Sequence, residues 1–230
     1  MYLFVKRCCD CFLALIGFII TLPIWIIAII GIEINDPGPI FYVANRIGKD
    51  NKQFKMFKFR SMRVLKEQKA GSEASLRPEK DRIFFVGHLI RKLKIDELPQ
   101  LLNIIRGDMA IVGPRPVAKD QIDIFRVGRY DEAKKVRPGL TGPAALYDYI
   151  YGDKIEDPEE YERLVLPTRL ELEAFYPAHM SMGYDIKMIW YTVVCVISSV
   201  FHKEPKKILA ELTSAVVVET ETAASETSVV

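Results

Sequence analysis

The stretch Phe12–Ile32, FLALIGFIITLPIWIIAIIGI, holds 21 residues without a formal charge and constrains this chain more than any other feature. As an α-helix it measures about 31 Å, enough to cross the hydrocarbon core of a bilayer. Two features argue against a simple crossing. Pro23 sits mid-run, cannot donate to the Ile19 carbonyl and clashes with that turn, so a kink is expected. Both flanks are also cationic: Lys6 and Arg7 precede the run, and nine Lys/Arg between Arg46 and Lys69 follow it against only Asp50 and Glu67. Positive charge favours the cytoplasmic side, so both ends belong there. The expectation is a Pro-kinked re-entrant membrane helix over residues 1–34, with a straight span as the alternative. No small-residue cleavage site follows the run, which argues against a secretory leader.

A formal net charge of +2 conceals the cationic strip. So dense a strip beside an apolar segment suits anionic headgroups and phosphates, against the plainer reading of a solvated face. Nucleic acid is not expected as a partner, because no helix-turn-helix, zinc-finger or ribonucleoprotein pattern organises the charge. Cys8, Cys9, Cys11 and Cys195 form no CxxC pair, and His88, His179 and His202 are scattered, so neither set reads as a metal site.

After the turn cluster Asn35-Asp36-Pro37-Gly38-Pro39, the residues 40–43 and 53–60 read as a β-hairpin joined by the polar loop 48–52. Aromatic residues are expected on one face, with Lys55, Lys58 and Arg60 on the other. Residues 66–82, charged and holding Gly71 and Pro78, read as a loop or short helices. Helices are expected over 84–93, 97–106, 120–135 and 157–176, and an interfacial helix over 186–201. From 214 the chain turns small, polar and acidic, the composition of a disordered tail. The fold class is therefore mainly α with a small β-hairpin. Its divisions are the membrane helix 1–34, a membrane-associated cytoplasmic catalytic domain 35–213 with interfacial helices, and the tail 214–230.

Arg91 to Pro116, RKLKIDELPQLLNIIRGDMAIVGPRP, carries the chemistry. Asp96 reads as the N-cap of helix 97–106, and capping alone would account for it. Its surroundings argue for more. Arg91, Lys92 and Lys94 precede the Asp96-Glu97 pair, and Gly113-Pro114-Arg115-Pro116 follows it. Prolines on either side restrict the backbone of Arg115, readying its guanidinium for a bidentate phosphate contact. Arg137-Pro138-Gly139 repeats the arrangement more weakly. A carboxylate among these cations is expected to stay ionised, as a nucleophile or magnesium ligand must.

These motifs resemble those of the bacterial sugar transferase family, specifically its small monotopic phosphoglycosyl transferases. The marks are the Pro-broken N-terminal helix, the basic hairpin ending Lys58-Phe59-Arg60-Ser61-Met62, and Asp96-Glu97-Leu98. Gly107-Asp108-Met109, Gly113-Pro114-Arg115-Pro116 and the run Val136 to Gly142 complete the set, in order, from Met1 to about Phe201. The resemblance implies transfer of a phosphosugar from a UDP-sugar to undecaprenyl phosphate with release of UMP, as the first membrane step of glycan assembly. It implies that Asp96 attacks the β-phosphorus to give an aspartyl-phosphosugar, and that Asp96 and Glu97 hold Mg2+, with Glu97 also acting as base. Arg115 would grip a phosphate with Arg91 assisting, while Lys58, Arg60 and Arg137 would bind or steer anionic substrate. The implied location is the cytoplasmic leaflet of the bacterial inner membrane, with the site facing the cytoplasm; association of the chain with itself stays open.

Two departures stand out. Leu22-Pro23 replaces the Ser-Pro frequent at the helix break, and Pro143 to Asp148 replaces a Trp-Ala-Gln-Val continuation. The second segment is a candidate for donor recognition, so the sugar is not fixed by the resemblance. Alternative readings are a membrane-bound hydrolase of nucleotide-sugar diphosphates and a non-enzymatic anionic-lipid-binding partner of a glycan machine.

Overall fold

A computed structural model describes residues 1–63 and 82–215. The loop expected at 66–82, except its last residue, Lys66 and Lys69 of the cationic strip, and the tail from 216 lie outside the described residues. The first helix, α1 (Tyr2–Asn35), contains Pro23 and runs through it. Thr21 Oγ1 donates to the Gly17 carbonyl at 2.7 Å just before the proline. Length and apolarity make α1 long enough to cross a membrane.

Strands β1 (Phe41–Ile47) and β2 (Gln53–Phe59) pair antiparallel from Phe41↔Phe59 to Ile47↔Gln53. The hairpin turns through Asp50 and Asn51, both with positive φ. Strand alternation puts Lys55 and Lys58 on opposite faces, so the hairpin's cations do not form the single expected face. The next helices are α2 (Phe85–Lys92) and α3 (Gln100–Arg106). The helix expected from residue 97 thus begins later: Ile95–Glu97 forms a 3-10 turn, and Pro99 occupies the N-cap without a side-chain bond. Asp96 does not cap.

Two short pairings absent from the sequence reading follow. β3 (Ala110–Val112) later pairs in parallel with β5 (Gly139–Thr141), and β4 (Val117–Ala118) joins the free edge of β1. The helix expected at 120–135 is a one-turn α4 (Ile122–Phe125) between 3-10 segments. Helix α5 (Pro143–Ile150) was not expected. The predicted 157–176 helix divides into α6 (Pro158–Leu164) and α7 (Leu166–His179), and α8 (Met182–Val200) covers the expected interfacial helix. A helix over residues 206–215 buries Ile208 and Leu212, so ordered structure continues to the start of the expected tail.

Contacts between α1 and the body run along the helix. Near its start, Lys6 Nζ donates to Asp185 Oδ2 at 2.7 Å and Arg7 Nη2 to the Ile105 carbonyl at 2.9 Å. Ala14 is buried with Leu101, Ile104 and Met109. Trp25, Ala28 and Ile32 pack with Phe59, Phe84 and Ile90. At its end, Asn35 Oδ1 accepts from Val86 N at 3.1 Å, and Asp36 pairs with the buried Arg60. The other face leaves Ile20, Ile27 and Ile34 exposed, while α8 exposes Ile186, Trp190 and Phe201.

Beyond the packing of Met56 with Leu101 and Ile104, a hydrogen-bonding side chain ties the hairpin to α3. Asn103, fully buried, accepts from Phe57 N at 3.0 Å and donates to the Lys55 carbonyl at 2.7 Å and Asp108 Oδ2 at 3.2 Å. It satisfies the outer edge of β2 and so fixes where Lys58 points.

Candidate active site

The chain reverses after α2 at Lys94, a non-glycine residue in the left-handed region (φ 56°). Such a conformation persists only where its surroundings enforce it. Here the Lys94 ammonium lies 4.4 Å from the centre of the Tyr149 ring and 3.9 Å from Asp153 Oδ2. Glu97 N donates to the Lys94 carbonyl at 3.2 Å, closing the tight turn that presents Asp96 and Glu97.

β2 brings Lys58 to this turn: its Nζ is 3.2 Å from Glu97 Oε1 and 3.8 Å from Asp96 Oδ2. Asp96 is 5% exposed, and its Oδ1 is buried without a hydrogen-bond partner. An anionic oxygen left unpartnered is expensive unless a ligand completes it.

Arg115 approaches from the other side on backbone that glycines let close up. Gly113 N donates to the Thr141 carbonyl at 2.9 Å, and Gly139 N to the Pro114 carbonyl at 2.7 Å. A Cβ on Gly113 would stand 2.5 Å from the Arg137 carbonyl, so the two Arg-Pro motifs are zipped together with no room for a side chain. Arg115 N donates to Glu173 Oε2 at 2.9 Å, and its Nη1 to Asp148 Oδ2 at 3.2 Å.

The two acidic residues are electrostatically distinct. Burial raises the Asp96 carboxyl above its ordinary value; Lys58 opposes this, Glu97 reinforces it, and Lys94 and Arg91 oppose it in turn, leaving a net rise. Burial also acts to raise Glu97, but Lys58, Lys94 and Arg115 outweigh it and bring Glu97 down to about 2. The surrounding cations, on which the expectation of an ionised Asp96 rested, thus work against desolvation. A divalent cation at the open oxygen would reverse that rise.

The structure thus gathers Asp96, Glu97, Lys58, Arg91 and Arg115. Arg91 acts on Asp96 while its Nη1 lies 3.8 Å from the weak acceptor Met62 Sδ. It does not gather Arg60 or Arg137 into this contact network. Arg60 is 4% exposed and bound to Asp36, and Arg137 Nε donates to the Gly107 carbonyl at 2.8 Å. Sequence reasoning placed Lys94 only among the cations before Asp96 and Asp148 only in the segment offered for donor recognition, and gave no role to Asp153. The basic run before Asp96 was a signal for Lys94; the acidic partners come from α5 and beyond, with no local signal.

Among the described residues, no group of three or more His, Cys, Asp or Glu is disposed to hold a metal alone. Mg2+ commonly binds through one or two carboxylates plus substrate phosphates and water. Asp96 and Glu97, with the open Asp96 oxygen, fit that mode.

A family model described as bacterial sugar transferase matches residues 1–199. A UDP-N-acetylgalactosamine-undecaprenyl-phosphate N-acetylgalactosaminephosphotransferase of Aeromonas hydrophila is 32% identical over 203 residues, 86% of this chain and 45% of its own length. A UDP-glucose:undecaprenyl-phosphate glucose-1-phosphate transferase of Escherichia coli is 32% identical over 190 residues, 82% of this chain and 39% of its own. The exopolysaccharide production protein ExoY of Sinorhizobium fredii is 40% identical over 208 residues, 83% of this chain and 84% of its own. The chain thus spans less than half of the first two relatives and most of the third.

Proposed function

The chain belongs to the bacterial sugar transferase family, and on that premise we propose that it is a phosphoglycosyl transferase moving a sugar 1-phosphate from a UDP-sugar to undecaprenyl phosphate. The observation that carries the reading is the buried Asp96, with one oxygen beside Lys58 and the other unpartnered, in a cluster holding Glu97, Arg91, Lys94 and Arg115.

In the first half-reaction an Asp96 oxygen attacks the phosphorus bearing the sugar. The bond from that phosphorus to the bridging oxygen breaks, and UMP leaves with the electron pair. In the second, a phosphate oxygen of undecaprenyl phosphate attacks the same phosphorus, the Asp96 O–P bond breaks, and the carboxylate is regenerated. The covalent intermediate lets one site handle two anionic substrates in turn. Arg115 and Lys94 grip the diphosphate, Arg91 assists, and Lys58 orients the carboxylates.

Lys58, Arg91, Lys94 and Arg115 are four cations matched by Asp96, Glu97, Asp148 and Asp153. An incoming diphosphate therefore adds uncompensated negative charge. Mg2+ held by Asp96 and Glu97 would supply that neutralisation when bound. Lys58, Lys94 and Arg115 hold the Glu97 carboxyl below the usual carboxylate range, so it stays anionic for either holding the metal or acting as base. The acceptor phosphate is itself largely ionised near neutrality, its second pKa being about 6.

The apolar α1 supports membrane residence, and contacts from Lys6 to Asp36 with the same body support a one-sided attachment. The exposed apolar residues of α1 and α8 then meet the cytoplasmic leaflet, placing the site near the headgroup of its lipid acceptor. The test is UMP release from a panel of UDP-sugars in detergent, with and without Mg2+ and undecaprenyl phosphate. Release with one sugar that needs both metal and lipid is expected. Release independent of the lipid would point to a hydrolase instead.

A further inference from the structure

We infer that Asp148 is the positioning residue for Arg115: it holds the guanidinium by one edge so that the rest of the fork faces the diphosphate. The inference rests on the transferase reading for the identity of that diphosphate, but its geometry does not.

Arg115 is fixed at both ends. Pro114 and Pro116 restrict its backbone and Glu173 Oε2 accepts from its N–H at 2.9 Å. At the tip, among the described residues, the guanidinium bonds only through Nη1, to Asp148 Oδ2 at 3.2 Å, and the side chain keeps 30% of its exposure. Its charge is felt at Glu97. Asp148 is itself engaged at both oxygens: 8% exposed, it accepts from the Tyr161 hydroxyl at 2.8 Å through Oδ1, and Arg169 lies 3.8 Å from Oδ2. Arg169 donates to the same Tyr161 hydroxyl at 2.7 Å, closing a ring of three residues. Gly152 backs this ring so tightly that a Cβ there would stand 2.2 Å from Asp148 Oδ1. A carboxylate held this firmly cannot step aside for substrate. It can orient, and an oriented guanidinium loses less freedom on binding phosphate bidentately.

The sign of one substitution separates this from simple electrostatics. Removing a negative charge beside an anion site should tighten anion binding if charge alone matters. If Asp148 positions Arg115, Asp148→Asn should weaken it, because the amide can turn an N–H toward the guanidinium. The probe is inorganic pyrophosphate at fixed Mg2+, titrated calorimetrically into the full chain in detergent. Asp148→Asn is expected to weaken binding about tenfold, the scale of one charge-assisted hydrogen bond. In an Arg115→Ala background the same change should have no further effect, since residues acting as a unit are not additive. Tyr161→Phe, which frees Oδ1 with the charge retained and little change of shape, should weaken binding severalfold. Equal or tighter binding by Asp148→Asn, additivity with Arg115→Ala, or Arg115→Ala binding like wild type would each overturn the inference. Asp148-dependent pyrophosphate binding without UMP release from any UDP-sugar would instead count against the transferase reading and leave the positioning role standing.

Discussion

Asn103→Ala removes the side chain that hydrogen-bonds the hairpin to α3, and its cost can be worked from the contacts. Phe57 N at 3.0 Å and the Lys55 carbonyl at 2.7 Å both lose their partner on a β2 edge that α3 covers. Leaving a covered donor or acceptor unsatisfied costs about 1–3 kcal/mol each, so the pair predicts a loss of roughly 2–6 kcal/mol. For a chain of this size about 1 kcal/mol shifts Tm by roughly 2–4 °C. The expected result is a Tm lower by about 4–24 °C in thermal unfolding of the detergent-solubilised protein. Activity should fall further than stability requires at a temperature where the variant remains folded, because β2 also aims Lys58 at Glu97 and Asp96. A Tm within about 2 °C of wild type would refute the bridging role, since it would mean that water or the strand itself satisfies both groups at no cost.

Gly87→Ala should destabilise by about 1–3 kcal/mol, the range for overpacking, because its Cβ would stand 2.1 Å from the Ser61 carbonyl; a denaturant midpoint checks it. Asp148 is held below the ordinary carboxylate range, with burial pushing it up and Arg115 and Arg169 outweighing that. Its depressed folded value means that its stabilisation is present above about pH 4 and is lost as pH falls through that folded value, so Asp148→Asn should flatten the acid-side loss of stability. Single cysteines placed at Leu3 and at Asn51, with the native cysteines replaced, should both react with an impermeant maleimide only after the cells are opened. Labelling of Leu3→Cys in intact cells would contradict one-sided attachment.

The long apolar helix was legible because its uncharged run is continuous, and the hairpin because its strands pair locally. The Asp96-Glu97 and Pro-Arg-Pro motifs were legible as a cluster, since the charge of Arg115 acts on Glu97. What sequence misplaced was local geometry: a capping residue was expected at Asp96, whereas Lys94 adopts a left-handed turn that lifts Asp96 out of any cap. The β3–β5 pairing was illegible because each strand has only three residues and its partner lies far along the chain. Asp148 was read only as part of the segment offered for donor recognition, because its bond to Arg115, 33 residues away, leaves no local signal. Arg60 was counted with the phosphate-binding cations through the hairpin motif of the resemblance, and Arg137 through its Arg-Pro-Gly motif. The structure engages one with Asp36 and the other with the Gly107 carbonyl.

The most direct test of the central claim is intact-protein mass spectrometry after incubation with the active UDP-sugar and Mg2+, without lipid acceptor. Wild type should gain the mass of one phosphosugar, mapped by peptide analysis to Asp96 and discharged on adding undecaprenyl phosphate. Asp96→Asn, folded by its Tm, should gain nothing and release no UMP. An adduct on another residue, or substantial turnover by folded Asp96→Asn, would contradict the account.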